Sequence, residues 1–132
     1  REATQALDIL LVEDHKVNQM LAIKLLEKWG HQVTLAENGQ EAVDFLESRP
    51  FDLVFMDMQM PVMGGLEATR LIRQREAETS RMPAYIVAMT ANAMEQDRQA
   101  CFDAGMNDFI AKPMTPEVLY DALFKWFEIG QR

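Results

Sequence analysis

Cysteine is scarce in this sequence, and long hydrophobic runs are absent from it. The only cysteine is Cys101, so no disulfide can form within the chain, which favours a reducing, cytoplasmic setting. No apolar run approaches the roughly 18 residues that a membrane span needs, and no signal-peptide pattern opens the chain. We therefore expect a cytoplasmic domain that makes no membrane contact of its own. A membrane anchor elsewhere in a parent protein is compatible with this expectation.

Basic residues are outnumbered, with 13 Lys and Arg against 21 Asp and Glu and a formal net charge of −8. Phosphate backbones repel such a chain and no Lys/Arg cluster offsets the charge, so direct nucleic-acid binding is disfavoured. Apolar residues make up 48% of the sequence, which is too high for a disordered chain. The length favours one compact domain. We expect it at residues 7–128, between an N-terminal extension or linker at 1–6 and a C-terminal tail at 129–132.

Five short apolar runs alternate with five amphipathic stretches. The runs predict strands at 8–12, 32–36, 52–56, 85–89 and 108–111. The stretches predict helices at 15–29, 38–48, 64–77, 92–104 and 115–128. Gly30 and Gly105 stand where C-terminal caps would lie, and Thr115-Pro116 is typical of a helix start. This alternation predicts an α/β fold, a doubly wound parallel sheet with helices on both faces.

Polar residues follow four of the predicted strands. Glu13 and Asp14 follow the first strand, Asp57 the third, Thr90 the fourth and Lys112 the fifth. In open α/β sheets the ligand site lies beyond the carboxyl ends of the strands. We therefore expect these side chains to converge on one edge of the sheet.

The convergence would bring three carboxylates together, those of Glu13, Asp14 and Asp57. Like charges so close are unfavourable unless a cation joins them, and an open site rich in oxygen atoms suits Mg2+. Any one of these residues could simply be solvated, but Thr90 and Lys112 complete a set that matches phosphoryl transfer. A carboxylate can form an aspartyl phosphate, while Mg2+, the lysine and the hydroxyl each take an oxygen of the transferring group.

The segments around these residues are specific enough to suggest a family. They are Leu10-Leu-Val-Glu-Asp14, Asp52-Leu-Val-Phe-Met-Asp57-Met-Gln-Met-Pro61, Ala88-Met-Thr90-Ala91 and Ala111-Lys112-Pro113. They resemble the receiver domains of two-component response regulators, in the family's order, from about residue 7 to residue 128. The resemblance implies a flavodoxin-like (βα)5 fold with strand order 2-1-3-4-5. It also implies a domain that takes a phosphoryl group from a phosphohistidine, promotes its own phosphorylation and dephosphorylation, and switches its partner-binding surface.

The same resemblance implies roles for the residues at the site. Asp57 would be the phosphoacceptor. Asp14, Asp57 and the backbone carbonyl of Gln59 would bind Mg2+, with Glu13 acting mainly through metal-bound water. Lys112 would contact the phosphoryl group.

Two further pairs of residues follow from the resemblance. Thr90 would contact the phosphoryl group and form the switch pair with Phe109, whose ring turns inward as the hydroxyl moves. In the family, the lifetime of the acyl phosphate varies with the residues at the positions of Gln59 and Asn92.

Finer matches point to a subgroup of receivers. They are Val17-Asn18-Gln19, Asn38-Gly39, Gly65-Leu-Glu-Ala-Thr-Arg70 and Ala104-Gly-Met-Asn-Asp108. These segments resemble receivers fused to hybrid sensor histidine kinases, which implies a phosphorelay whose partner is a histidine kinase or a histidine phosphotransfer domain. Gly64 departs from the pattern, since aspartate is common there. A homodimer through the fourth helix, fifth strand and fifth helix is also compatible with the resemblance.

The first predicted helix has apolar residues on two faces. At 100° per residue, the residues expected to face the core are Leu21, Ala22, Leu25, Leu26 and Trp29. Met20 and Ile23 fall on the opposite face, among charged residues. We interpret them as a docking patch for a phosphotransfer helix bundle; scattered surface apolar residues are the simpler alternative.

Three alternative functions are each disfavoured by a feature of the sequence. A Mg2+-dependent aspartyl phosphatase would need an acid two residues after its nucleophile, where Gln59 cannot act as one. A degenerate receiver that acts only as a protein-interaction module would be expected to lack an acidic or lysine position, and none is missing. A DNA-binding regulator is disfavoured by the acidic charge and by the lack of a helix-turn-helix pattern.

Overall fold

A computed structural model describes residues 6–91 and 94–130. The strands are β1 (Asp8–Val12), β2 (Gln32–Ala36), β3 (Leu53–Asp57), β4 (Ile86–Thr90) and β5 (Asp108–Ala111). The helices are α1 (Lys16–Lys28), α2 (Gly39–Ser48), α3 (Gly65–Thr79), α4 (Glu95–Ala104) and α5 (Pro116–Gly130). All strand pairs are parallel, in the order β2-β1-β3-β4-β5. The predicted flavodoxin-like α/β fold and its strand order are confirmed.

Side chains of the central strands alternate between two separate cores. One core lies between the sheet and helices α2, α3 and α4, and it contains Leu10, Val54 and Ile86. The other core lies under α1 and α5, and it contains Ile9 and Phe55. Burial on both faces explains why these strands read as continuous apolar runs. Because all the strands are parallel, their carboxyl ends lie together at one edge of the sheet.

β3 and β4 each lie one residue later than predicted. Asp52 precedes β3, where its carboxylate accepts the Asp8 N–H and its own N–H donates to the Asp8 carbonyl, both over 2.8 Å. At the other end, Asp57 pairs with Met89, so Asp57 is the last residue of β3 instead of the first residue after it. Thr90 is in the same way the last residue of β4.

Helix ends agree with the capping signals in most places. The Asn38 side chain caps α2 by accepting the Glu41 N–H over 2.9 Å, and the Thr115 hydroxyl accepts the Val118 N–H at the start of α5. Gly105 ends α4 in the left-handed conformation. The predicted start of the fourth helix, residues 92 and 93, lies outside the described residues, as do 1–5, 131 and 132 of the two predicted flanking segments.

α5 continues to Gly130, two residues past its predicted end, so residues 129 and 130 are helical. Aromatic side chains anchor the last part of this helix. Trp126 and Phe127 pack against the core under α1 and α5, with their rings edge to face at 5.2 Å. The Trp126 indole N–H also donates to the Asp52 carbonyl over 3.0 Å, which fixes the last turns of the helix.

His31 is a buried polar residue at the start of β2. It is only 4% exposed, and its Nδ1 accepts the Leu7 N–H over 3.0 Å. Burial lowers the pKa of His31 below the ordinary 6.5, because the charged form loses its solvation. A neutral ring is also the form that can accept a hydrogen bond at Nδ1.

This burial predicts a loss of stability in mild acid. Between pH 6.5 and the lower folded-state pKa the unfolded chain takes up a proton at His31 that the folded protein does not, so the free energy of unfolding falls as the pH drops across this window and changes no further below it. We expect urea unfolding between about pH 7 and pH 5, followed by tryptophan fluorescence, to show this fall. His31→Asn, which keeps an acceptor for the Leu7 N–H, should show a smaller fall. Equal pH dependence in both proteins would contradict the prediction.

The helices of the described part of the chain are too short or too polar to cross a bilayer.

Candidate functional site

Three carboxylates meet at the carboxyl edge of the sheet. Glu13 and Asp14 follow β1, and Asp57 ends the neighbouring β3. One oxygen atom from each of the three lies within 4.8 Å of the others. Glu13 and Asp57 are buried and Asp14 is half-buried, so the cluster opens to solvent on the side of Asp14. The predicted convergence of these side chains is present.

Lys112 brings a positive charge into this cluster. Its Nζ lies 3.0 Å from Oδ1 of Asp57 and 3.5 Å from Oε1 of Glu13. The backbone N–H of Lys112 donates to the Thr90 carbonyl over 2.8 Å, which joins the residue after β5 to the end of β4. The Lys112–Pro113 peptide bond is cis. The backbone of Lys112 is thus held both by β5, which it follows, and by its hydrogen bond to β4.

Glu13 is the fully buried member of the cluster. Its Oε2 accepts the His15 N–H over 3.0 Å, whereas Oε1 is buried and has no hydrogen-bond partner among the described residues. Burial raises the pKa of Glu13, the Asp57 charge raises it further, and the His15 N–H and Lys112 lower it. In the part of the chain that the structure describes, Oε1 has no hydrogen bond, has the Lys112 ammonium as its ion-pair partner at 3.5 Å and lies beside two other carboxylates, so a further cation would be favourable here.

The Asp57 side chain is held by the loop that follows β3. The Gln59 N–H donates to Oδ1 of Asp57 over 3.2 Å, and the Met58 N–H donates to the Met89 carbonyl over 3.1 Å. Gly65, the first residue of α3, donates its N–H to the Met58 carbonyl over 3.2 Å. The phosphoacceptor candidate is therefore attached both to β4 and to the start of α3.

The predicted switch residues lie next to the cluster but not in it. Thr90 is buried at the end of β4, and Phe109 is half-buried on β5, paired with Ala88. The Phe109 ring lies between Phe102, edge to face at 6.4 Å, and the Arg98 guanidinium, 4.8 Å from the ring centre. Asn92, predicted to affect the acyl-phosphate lifetime, lies outside the described residues.

Gln19 is a site residue that sequence reasoning missed. It is 6% exposed, and its side-chain Nε2 donates to the backbone carbonyl of Glu13 over 2.7 Å. A glutamine among Lys16, Asn18 and Lys24 gives no periodic signal of burial. This polar side chain faces inward because the carbonyl of Glu13, just after β1, accepts its hydrogen bond.

The predicted faces of α1 need a correction for this reason. Ile23 was expected on the solvent face, but it is half-buried and packs against the core. Leu21 was expected in the core, but it is 54% exposed. The buried face is centred on Gln19, Ala22 and Leu26, so it is rotated towards Ile23 and away from Leu21. Met20 is exposed, as predicted.

The exposed apolar residues of α1 form one surface, which we call the α1 patch and define as Val17, Met20 and Leu21. Their exposed fractions are 65%, 66% and 54%. Spacings of three and four residues place them side by side on the helix. The patch borders a groove of about 680 Å³ between α1 and the loop after Lys112, lined by Asn18, Leu21, Lys24, Leu25, Lys28, Pro113, Met114, Thr115 and Pro116.

A carboxylate cluster with an adjacent ammonium can bind a hard divalent cation and an anion together. The donor atoms are all oxygen, which suits Mg2+ better than a softer metal. The methionines nearby pack as apolar side chains: Met56 is buried in the core, and Met58, Met60 and Met63 pack against it. The geometry therefore fits a phosphate oxygen placed between a cation and Lys112.

Comparison with known proteins identifies a family and its relatives. The profile of the family described as response regulator receiver domain matches residues 9–124. Hybrid signal transduction histidine kinase E of Dictyostelium discoideum is 43% identical over 118 residues, covering 89% of this chain and 7% of that protein. Sensor histidine kinase GacS of Pseudomonas protegens is 38% identical over 130 residues, covering 98% of this chain and 14% of that protein. The chain thus spans a small fraction of these curated relatives.

Two solved structures are similar over nearly the whole chain. One is the receiver domain of a Pseudomonas aeruginosa sensor histidine kinase with a magnesium ion coordinated in its active-site cleft, with 41% identity, a TM-score of 0.81, and coverage of 92% of this chain and 98% of that one. The other is the receiver domain of the Saccharomyces cerevisiae response regulator Ssk1, crystallised with the histidine phosphotransfer protein Ypd1. It has 32% identity, a TM-score of 0.90, and coverage of 95% and 91%.

Proposed function

The chain belongs to the response regulator receiver domain family, and we propose that its Asp57 accepts a phosphoryl group from a phosphohistidine. One observation supports this most strongly. The Lys112 ammonium lies 3.0 Å from Oδ1 of Asp57 at the edge where Glu13 and Asp14 meet the same carboxylate. A candidate nucleophile, an ammonium group and a cluster of carboxylates that could hold a divalent cation are thus adjacent, which supports phosphoryl transfer.

The proposed step is a displacement at phosphorus. A carboxylate oxygen of Asp57 attacks the phosphorus atom, and the new O–P bond forms as the P–N bond to the imidazole breaks. The imidazole leaves with the electron pair of that bond. Lys112 and the Thr90 hydroxyl stabilise the negative charge on the equatorial oxygens.

We propose that Asp14, Asp57 and the backbone carbonyl of Gln59 bind Mg2+, with Glu13 acting mainly through metal-bound water. The bound ion would neutralise the crowded carboxylates and take one oxygen of the phosphoryl group. Support comes from Oε1 of Glu13, which is buried without a hydrogen-bond partner in the described part of the chain.

Acetyl phosphate tests this function directly. We expect the protein to gain one phosphoryl mass when Mg2+ is present and none after chelation, as read by intact mass spectrometry. Asp57→Asn should abolish the adduct, because an amide is a poor nucleophile. Asp44→Asn, which removes an exposed carboxylate on α2, should leave it intact. An adduct that persists in Asp57→Asn would contradict the assignment, and no adduct at all would favour an interaction module.

The partner surface is proposed to change through Thr90 and Phe109. Phe109 lies at the boundary of core and solvent, against Phe102 and Arg98, so a small movement of its ring would alter the exposed surface. α4 and α5 pack against β5 there, and Phe102 and Phe124 are exposed on them. We propose that a phosphorylation-dependent homodimer uses this face, which sedimentation of the two forms would test.

A histidine phosphotransfer domain, or the histidine kinase itself, is the proposed phosphodonor. The similar yeast receiver was crystallised with such a phosphotransfer protein. The α1 patch of Val17, Met20 and Leu21 supports docking here, because it exposes apolar side chains beside the groove that starts after Lys112. The lysines at positions 24 and 28 on the groove would favour an acidic rim on the partner.

Met20→Glu should separate docking from chemistry. We expect transfer from a phosphotransfer domain that phosphorylates the wild type to slow by about tenfold or more, since a charge in a docking patch costs several kcal/mol when desolvated. Phosphorylation by acetyl phosphate should not change. Met82→Glu is the matched control, because Met82 is 89% exposed and lies in the α3–β4 loop. Equal transfer to both variants would contradict the docking proposal.

The parent protein is proposed to be a hybrid sensor histidine kinase in a phosphorelay. Support comes from the curated relatives, which include hybrid histidine kinases many times longer than this chain. We propose that residues 7–128 form the receiver unit of that protein and that this unit lies in the cytoplasm, which is compatible with a membrane anchor elsewhere in the parent protein.

A further inference from the structure

We infer that Gln19 is a positioning residue for the metal site, an inference that rests on the function proposed above. Gln19 lies on the second turn of α1, and its side-chain nitrogen reaches the backbone carbonyl of Glu13 over 2.7 Å. A carbonyl can only accept a hydrogen bond, so the amide nitrogen must be the atom that faces it. Gln19 does not touch the phosphoryl group; it acts through the turn that carries the carboxylates.

The turn between β1 and α1 is fixed at three points. The Glu13 N–H donates to the Ala36 carbonyl over 3.0 Å, which continues the pairing with β2. The Glu13 side chain accepts the His15 N–H over 3.0 Å. The third point is the Gln19 bond to the Glu13 carbonyl. Of these three, only the Gln19 bond depends on a side chain outside the turn.

The geometry of a peptide bond explains why this third point matters. The Glu13 carbonyl and the Asp14 N–H belong to one planar peptide unit, so fixing the carbonyl also fixes the plane from which Asp14 extends. Without a donor, the Glu13 carbonyl would turn towards water to regain a hydrogen bond. The Asp14 carboxylate would then leave the position where its oxygen lies within 4.8 Å of those of Glu13 and Asp57.

Burial makes the contact specific. Gln19 is 6% exposed, although glutamine is normally a surface residue, and it occupies the centre of the buried face of α1. A core-filling role alone would be served by leucine or methionine at this position. Groups that orient metal ligands typically change metal affinity by about 10-fold to 100-fold when removed.

Titration calorimetry with Mg2+ alone tests the inference on the purified chain. We expect Gln19→Met, which keeps the length of the side chain and removes the donor, to raise the Kd for Mg2+ by about tenfold or more. Leu26→Val is the matched control: it removes buried volume on the same helix without touching the turn, and its Kd should stay within about twofold of wild type. Equal weakening in both variants would show a merely structural role and overturn the inference.

Two other outcomes are equally decisive. Wild-type affinity in Gln19→Met would overturn this inference and leave the proposed function standing, whereas no Mg2+ binding by the wild type would overturn both. If Gln19→Met does not fold, NMR of the wild type decides. We expect a Gln19 side-chain amide that is protected from hydrogen exchange and shifts on addition of Mg2+. An unprotected amide that does not shift would overturn the inference.

Discussion

Lys112→Met is expected to slow phosphorylation of Asp57 by acetyl phosphate about 100-fold to 1000-fold, the usual loss when one donor to a developing anion is removed. The Lys112 Nζ lies 3.0 Å from Oδ1 of Asp57, so the ammonium stands beside the attacking carboxylate, where it can reach the equatorial oxygens of an incoming phosphoryl group. Methionine retains most of the apolar stem and removes the charge and the donors. The rate of adduct formation at saturating Mg2+, followed by intact mass spectrometry, measures the effect.

The same substitution should also destabilise the Mg2+-free protein. Glu13 is fully buried, and Lys112 is the cation that faces its Oε1 at 3.5 Å. Breaking a buried ion pair typically costs about 3–5 kcal/mol, and the lower end applies here because Lys112 is partly exposed. Proton uptake by Glu13, whose pKa is already raised by burial, limits the cost. Mg2+ should therefore raise the unfolding midpoint in urea more for Lys112→Met than for the wild type.

Lys125→Met is the control for the change in net charge. Lys125 lies on α5, is largely exposed and has Asp108 as an ion-pair partner at 3.7 Å. Surface pairs of this kind contribute about 0–1 kcal/mol, so both the rate and the stability should stay close to wild type. A phosphorylation rate within threefold of wild type in Lys112→Met would remove Lys112 from the proposed chemistry.

The sequence predicts the fold well, and also the edge of the sheet at which the site lies, because both follow from the topology. Strands buried on two faces give continuous apolar runs, and parallel strands end on the same side. Glu13, Asp14, Asp57 and Lys112 therefore had to approach one another once the strand order was right. No knowledge of individual side-chain contacts was needed for that step.

Two residues show where sequence reasoning fails. Gln19 and His31 are polar in the sequence but buried in the fold, because each satisfies one specific backbone group. Such a partner is set by tertiary geometry and leaves no periodic pattern. The error was largest in α1, where the core face was predicted from apolar residues alone, so that Gln19 was left out and Ile23 and Leu21 were misplaced.

Local detail at strand ends is equally hard to predict. Asp52 and Asp57 stand at opposite ends of the third apolar run, and the sequence predicts the first inside the strand and the second just after it. In the structure Asp52 precedes the strand, with its carboxylate on the Asp8 N–H, and Asp57 is in the strand opposite Met89. The cis Lys112–Pro113 bond belongs to the same class of features, since a proline permits either isomer and the sequence does not choose.

Gly65→Ala is expected to lower the free energy of unfolding by about 1–3 kcal/mol, the usual cost of overpacking, and to slow phosphorylation by more than tenfold. A Cβ at this position would lie 2.4 Å from the Asp57 carbonyl oxygen and 3.1 Å from the Met58 Cα. Both are backbone atoms of β3 and the loop that follows it, so they cannot rotate away. Relief requires α3 to move off the strand end that holds the phosphoacceptor.

Gly64→Ala is the matched control, one residue earlier in the chain. Its Cβ would meet only the Met58 carbonyl oxygen at 3.4 Å, an ordinary contact. Both variants exchange glycine for alanine at the start of α3, so changes in chain entropy are similar and the difference between them reports the close approach. Urea unfolding and the rate of phosphorylation by acetyl phosphate measure the two effects. If the two variants lose stability and phosphorylation rate to the same extent, the close approach of α3 to the Asp57 carbonyl is not the cause of either loss.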